Sequence, residues 1–236
     1  MLNHNIIAHC QSGFTKGDSA INQLVNITNN IGKALDDGKE FRIVFCDVSK
    51  AFDKVWHRGL LHQLKNSGFG GNIIIWLEHY LQYRFERVAI NGCYSSWQYI
   101  NAGVPQGSIL DPLLFLLYIN DIVGNIQSQV RLFADDTSIF LIVDNAIESA
   151  DIFNRDLNTI TSWSNKGNNK ITEPRTILQR ETQNSQVYKQ TKSVNKCLVS
   201  FNSQKTETMV ISRKVNKPHH PLLVMNNQKF GRCEIS

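Results

Sequence analysis

Three carboxylates stand out for where they sit. Asp47 closes the apolar run FRIVFC (41–46), and Asp135 and Asp136 stand side by side inside VRLFADDTSIFLIV (130–143), between two stretches rich in β-formers. Like charges packed together repel, so a chain that concentrates them beside buried strands needs a cation or open water to offset them. Two Mg²⁺ ions about 3.5–4 Å apart, held by carboxylates from neighbouring elements, form an arrangement that moves phosphoryl groups. Mg²⁺ keeps waters and substrate phosphates in its octahedron, so two or three aspartates suffice. By type and spacing alone the pair is equally an ordinary solvated turn, because Asp is a common turn former.

The elements that must position these acids can be read from periodicity. FRIVFCD suits a buried strand ending at Asp47. HRGLLHQLKNSG (57–68) runs at helical period and stops at Gly68, a natural C-terminal cap. NIIIWLEHYLQYR (72–84) predicts a second helix with Ile73, Trp76, Leu77, Tyr80 and Leu81 on one side. FERVAI (85–90) and SSWQYI (95–100) flank the turn former Asn91-Gly92, which predicts a hairpin. Asp111 and Pro112 offer an N-cap and a first helical position for a helix through LLFLLYINDI (113–122). VRLFA and TSIFLIV predict a tight hairpin with the two acids at its tip. A helix over roughly 145–166 carries Ile147, Ala150, Phe153, Leu157, Ile160 and Trp163 at spacings of three and four. CLVSF (197–201), ETMVIS (207–212) and PLLVM (221–225) read as short strands. Strands and helices in this order predict an α+β fold, one antiparallel sheet with helices packed on one face.

Composition sets the outer bounds. At 236 residues and 42% hydrophobic content the chain can bury a sizeable core. Its five cysteines (Cys10, Cys46, Cys93, Cys197, Cys233) include no C-x-x-C pair and are odd in number, which favours a reducing compartment over a disulfide framework. PLLFLLYI and SIFLIV fall well short of the roughly 18 apolar residues of a membrane helix, and MLNHNIIAHC lacks the basic start of a signal peptide. A soluble protein of the nucleus or cytoplasm, with no membrane partner, is the expectation. The seven histidines stand in no H-E-x-x-H frame, so they read as surface or core.

The net charge of +5 is unevenly spread. Residues 167–196 hold six basic and two acidic side chains, which leaves about +1 for the rest, so global charge is a weak argument for nucleic acid. That same segment is rich in Gln, Asn, Thr and Lys and poor in apolar residues, the composition of a disordered loop.

The wording around the acids goes further than their spacing. FCDVSKAFDKVWHRGLL, NAGVPQGSILDPLLFLLYINDI and LFADDTSIF, in that order, closely resemble successive motifs of reverse transcriptases, specifically the non-LTR (LINE-type) retrotransposon group. QSGFTKGDSAINQL looks like the family's preceding fingers-to-palm segment, and WSNK, resumed in CLVSFNSQKTETMVIS, is similar to its following palm motif. The resemblance covers about residues 11–166 and 197–225. It implies a polymerase palm with part of the fingers: residues 1–40 as a partial fingers or entry segment, 41–166 as the palm with the catalytic motifs, 167–196 as a disordered insertion, and 197–236 as the end of the palm. The implied reaction is two-metal nucleotidyl transfer from a dNTP to a DNA primer on an RNA template, with two Mg²⁺ ions (or Mn²⁺) and no small-molecule cofactor.

Carried over position by position, the resemblance makes Asp47 and Asp135 the principal metal ligands, with Asp136 supporting them and the main-chain carbonyl of Val48 adding a contact. Phe52 matches the aromatic gate beneath the sugar, where a bulky ring would clash with a 2′-hydroxyl. Gln106 and Gly107 match the loop that contacts template and nucleotide. Lys205 of SQKTE matches a lysine placed to protonate the leaving pyrophosphate. Each has an ordinary counterpart: Phe52 as core, Gln106-Gly107 as a turn, Lys205 as a solvated lysine. Asp53, next to the gate, reads as a helix N-cap rather than a ligand.

Four departures from the family pattern accompany the match. Asp111 stands where the family has glycine, and Thr15 where it has arginine. Joining Lys166 to Cys197 gives WSNKCLVSFN, so 167–196 reads as an insertion into one motif, either a retained intron or a decay scar. The fingers strand is expected upstream of Met1 and a thumb downstream of Ser236, so the chain is expected to act weakly on its own. Rival readings are an inactive remnant and a nucleic-acid binding module built on 167–196.

Overall fold

The computed structural model describes residues 6–165, 200–214 and 218–230, together with the backbone of 232–234. In chain order the elements are α1 (Ala20–Asp36), β1 (Glu40–Cys46), β2 (Val48–Ser49), α2 (His57–Asn66), α3 (Gly71–Leu81), β3 (Arg84–Glu86), β4 (Ala89–Ile90), β5 (Cys93–Tyr94) and β6 (Gln98–Ile100). They continue with α4 (Leu110–Ile119), β7 (Gln129–Phe133), β8 (Asp136–Val143), α5 (Ala146–Ser164), β9 (Ser200–Phe201), β10 (Glu207–Ile211), β11 (Leu223–Met225), β12 (Gln228–Phe230) and β13 (Arg232–Glu234). The insertion expected at 167–196, and its junction, lie outside the described residues.

The predicted α+β fold is present. Five strands form one sheet in the order β13-β10-β1-β8-β7, antiparallel except for the parallel pair β10–β13. β1 lies at its centre, and its side chains alternate between two covered faces. Val44 and Cys46 join the main core with Ile139, Phe115, Phe153 and Leu157. Phe41 and Ile43 pack on the opposite face with Phe140 and Ala34. Burial on both faces is why this strand reads as an unbroken apolar run rather than an alternating one.

The expected layer of helices therefore has a counterpart on the other face. α1 was not foreseen as a helix, although its cues are in the sequence: Ser19 accepts from the Asn22 N–H at 3.2 Å as an N-cap, and Ile27, Ile31 and Ala34 recur at helical spacing toward the sheet. It covers only the first half of β1, and Phe45 further along that face is 39% exposed.

Three local expectations shift. In α3 the buried side is Ile74, Leu77 and Leu81, while Ile73 and Trp76 face solvent; the apolar run Ile73–Leu77 points to every side of the helix, so its period fixes the element but not the face. α4 begins at Leu110, so Asp111 lies inside its first turn instead of capping it. Ile147, predicted on the inner stripe of α5, is exposed, whereas Ala150, Phe153, Leu157, Ile160 and Trp163 are buried as expected.

A buried polar clamp closes the far end of β1. Glu40 pairs with His220 at 3.1 Å, and Arg42 donates to the Pro221 carbonyl at 2.9 Å while its guanidinium lies over the Phe153 ring. These contacts fix the 218–221 segment that leads into β11, whose Leu223 and Met225 complete the core.

Candidate active site

The sheet register brings the acids together. Cys46 stands opposite Thr137, so Asp47, one residue on, falls across from Asp136. Both lie on the face that α1 packs against, beyond the stretch α1 covers, where side chains reach solvent. Phe133 pairs with Asp136, which makes Ala134 and Asp135 the two central residues of the turn. The acids were expected together at the tip; only Asp135 is there, and Asp136 begins β8.

Electrostatics records their closeness. Burial raises the Asp136 carboxyl above its ordinary value, and repulsion from Asp135 and Asp47 raises it further. The three are neighbours in charge without forming a closed cage: among the described residues no group of three or more His, Cys, Asp or Glu side chains converges on a point that could hold an ion unaided. A carboxylate pair with room for water and phosphate oxygens is the donor set that suits Mg²⁺, so the residues fit the ion.

The turn is held from outside. Ala134 has φ of 56°, a left-handed backbone that non-glycine residues seldom adopt. Buried Gln11 grips it on both sides: its Oε1 accepts from the Ala134 N–H at 3.0 Å, and its Nε2 donates to the Ala134 carbonyl at 3.4 Å. The same Oε1 accepts from the Gly13 N–H at 2.9 Å. Backbone bonds from Ser12 N–H to the Leu132 carbonyl and from Leu132 N–H to the Cys10 carbonyl, at 2.9 and 2.8 Å, lay this segment along β7. Gly13 approaches so closely that a Cβ there would sit 2.3 Å from the Ala134 nitrogen. Thr15 folds its hydroxyl back onto the Gln11 carbonyl at 3.0 Å and so braces the same bend. By sequence QSGFTKG reads as an entry segment; that Gln11 and Gly13 support the acids follows only from the fold, which sets them beside the Ala134 turn.

Lys205 reaches the site through the chain after β9. β2 pairs with β9, setting Val48 against Phe201, and the Asn202 N–H donates to the Asp47 carbonyl at 2.9 Å. Lys205 follows in the next turn, its Nζ 3.9 Å from an Asp47 carboxylate oxygen.

The segment that leaves Asp47, with Phe52 and Asp53, receives the 101–108 loop that carries Gln106 and Gly107. Phe52 packs on Phe115 with ring centroids 4.4 Å apart and remains partly exposed, so it is both wall and surface. The 101–108 loop docks on the following turn: Val104 N–H donates to the Phe52 carbonyl and Gly103 N–H to the Val55 carbonyl, at 3.0 and 2.9 Å. Gly103 has φ of 81° beside the Asp53 backbone, and buried His57 bonds its carbonyl at 2.7 Å. Gln106 Nε2 donates to Asp53 Oδ1 at 2.6 Å, so Asp53 anchors the loop and is not the expected N-cap. Gly107, exposed with φ of 82°, leaves the loop tip open. Asp111 lies behind it with its carboxyl pushed up, first by burial; a Gly107 backbone hydrogen bond pulls against this, and Asp53 adds repulsion.

Known proteins resemble this chain. The family described as "Reverse transcriptase (RNA-dependent DNA polymerase)" matches residues 1–216. The "Probable RNA-directed DNA polymerase from transposon BS" of Drosophila melanogaster is 30% identical over 185 residues, 75% of this chain and 20% of that protein. The "RNA-directed DNA polymerase from mobile element jockey" of Drosophila funebris is 30% identical over 169 residues, 68% of this chain and 18% of its own length. The chain thus spans about a fifth of the curated relatives it matches. Among solved structures, an apo telomerase from Candida tropicalis, truncated from its C-terminal domain, shares the fold with a TM-score of 0.50 at 12% identity, over 88% of this chain and 37% of that one.

Proposed function

The chain belongs to the reverse transcriptase family, and from that premise we propose that residues 41–166, with 200–214, work as a palm that adds deoxynucleotides to a DNA primer on an RNA template. The observation that carries this reading is the register that sets Asp47 across from Asp136 with Asp135 in the adjoining turn. The likeness to proteins of mobile elements supports a retrotransposon origin.

Asp47 and Asp135 would hold Mg²⁺, with Asp136 beside them and the Val48 carbonyl within the same bend. Bound there, the ion supplies an activated primer hydroxyl and charge neutralisation at the pyrophosphate. The remaining roles belong to the chain. Lys205, an ammonium donor held near Asp47, gives a proton to the departing pyrophosphate. Phe52, propped by Phe115, limits the space beneath the sugar and favours a ribose without a 2′-hydroxyl. Gln106 is oriented by Asp53, and the open Gly107 backbone lets a nucleotide or template base approach closely.

Primer extension tests the reading. The chain should extend a DNA primer on an RNA template in Mg²⁺ or Mn²⁺. Asp135→Asn should lower that rate by roughly a thousandfold, the equivalent of about 4 kcal/mol of transition-state stabilisation. Incorporation that does not depend on Asp135, or none from the wild-type chain with either ion, would overturn it.

A further inference from the structure

Between α3 and α4 the chain leaves the core as a long hairpin. β3 pairs with β6, β4 with β5, and these strands pair only with one another among the described residues. Every residue from 85 to 99 is exposed. Two-stranded ribbons hold together poorly in water unless their side chains support them, and here the support is aromatic. Phe85 stands opposite Tyr99 with their rings edge-on at 5.3 Å. The Arg87 guanidinium lies over two further rings, 4.1 Å from the centroid of Tyr94 and 4.6 Å from that of Trp97.

Phe85 and Tyr99 share one face as paired residues of β3 and β6, and Arg87 and Trp97 follow just past those strands, joined by the guanidinium over the indole. Phe85, Tyr94, Trp97 and Tyr99 are 55%, 61%, 59% and 46% exposed, so the rings touch yet keep much of their surface in water. An open row of rings interleaved with guanidinium is chemistry that stacks unpaired bases and draws phosphates, and it does so without sequence preference. The charge agrees, since Arg84 and Arg87 outweigh Glu86.

Position names the ligand. β6 runs directly into the 101–108 loop that carries Gln106 and Gly107. At the ribbon's base Arg84 lies near enough to His57, which bonds Gly103 in that loop, for its charge to help depress the imidazole below its usual range, after the larger effect of burial. We propose that this face is a stacking platform for single-stranded template RNA before it enters the site. The proposal rests on the polymerase reading and extends it to how the unpaired strand is held.

The test measures binding of the purified chain to a fluorescent oligouridine and to an RNA–DNA hybrid of equal length. Tyr94→Ala with Trp97→Ala should weaken oligouridine binding about tenfold or more and leave hybrid binding unchanged. Tyr94→Phe with Trp97→Phe keeps the rings and should keep the affinity, which separates loss of stacking from loss of fold. Unchanged oligouridine affinity in the alanine pair overturns the platform. A change of oligomeric state without a change in RNA affinity also overturns it and assigns the face to protein contact. Ring-dependent RNA binding in a chain that performs no extension upholds the platform while counting against the polymerase reading.

Discussion

Two hairpins of this molecule are built on opposite principles. The hairpin of β7 and β8 sits inside the five-stranded sheet, and its turn residue Ala134 takes a backbone conformation that its side chain does not favour. Gln11, more than a hundred residues earlier, holds that turn by both its N–H and its carbonyl. The 84–100 hairpin projects from the core, turns through Asn91 and Gly92 at φ of 49° and 82°, and is supported by its own rings. Asn-Gly suits a turn with two positive φ angles, so no distant partner is required. The turn beside the clustered carboxylates is over-determined by tertiary contacts; the one that offers a surface needs only local chemistry.

If that contrast is right, the largest effect should come from the contact that brings the distant support in. Gly13→Ala places a methyl 2.3 Å from the Ala134 nitrogen and 2.9 Å from the Phe133 carbonyl carbon. Neither neighbour is a flexible side chain, so backbone must move, at a cost on the order of 3 kcal/mol. Denaturant unfolding should show it, and primer extension should fall with it. A variant with wild-type stability would mean that the bend is not fixed by this approach.

Gln11→Ala comes next. It removes three hydrogen bonds and strands the Ala134 and Gly13 N–H groups in a buried position, for a loss of roughly 1–3 kcal/mol. A control lies in the other hairpin. Gly92→Ala should cost only what a positive φ costs, about 1 kcal/mol, with no change in extension rate per folded molecule.

The contrast also governs what could be read from sequence. Asn91-Gly92 announced its hairpin because a local rule decided it. The strand before Asp47, helices α2 and α5 and the pairing of VRLFA with TSIFLIV were legible for the same reason, each carrying its own period. The turn at 134–135 was placed one residue late, since nothing local in ADD says that an alanine would be held left-handed by a glutamine far away. The apolar run Ile73–Leu77 of α3 points to every side, so its buried face is decided by what packs on it. Asp53 and Asp111 were read as caps by type; the fold uses one to anchor Gln106 and buries the other behind Gly107.

A smaller effect separates the acids from their surroundings. The Asp136 carboxyl is raised above its ordinary value, chiefly by burial and then by Asp135 and Asp47. A raised carboxyl keeps its proton in the folded state after the unfolded chain would release it. That stabilising contribution is complete below about pH 3.9 and is lost as pH rises through the folded value, leaving repulsion at neutrality. With EDTA present, Asp136→Asn should therefore raise Tm at pH 7, and the advantage should vanish near pH 4. A Tm difference independent of pH would show that packing rather than charge is responsible.

The smallest effect is the sharpest test of the comparison. Trp97 is 59% exposed and touches Arg87 in its own hairpin, with no buried partner to strand on its removal. Substitutions at such positions change stability by no more than about 0.5 kcal/mol. Trp97→Ala should thus melt with the wild-type chain and leave the Gln11-held turn, and the acids on it, undisturbed. If instead it lowers Tm as far as Gln11→Ala does, the ribbon is part of the folding unit that holds the acids, and the division between a locally supported surface and a tertiary-locked site fails.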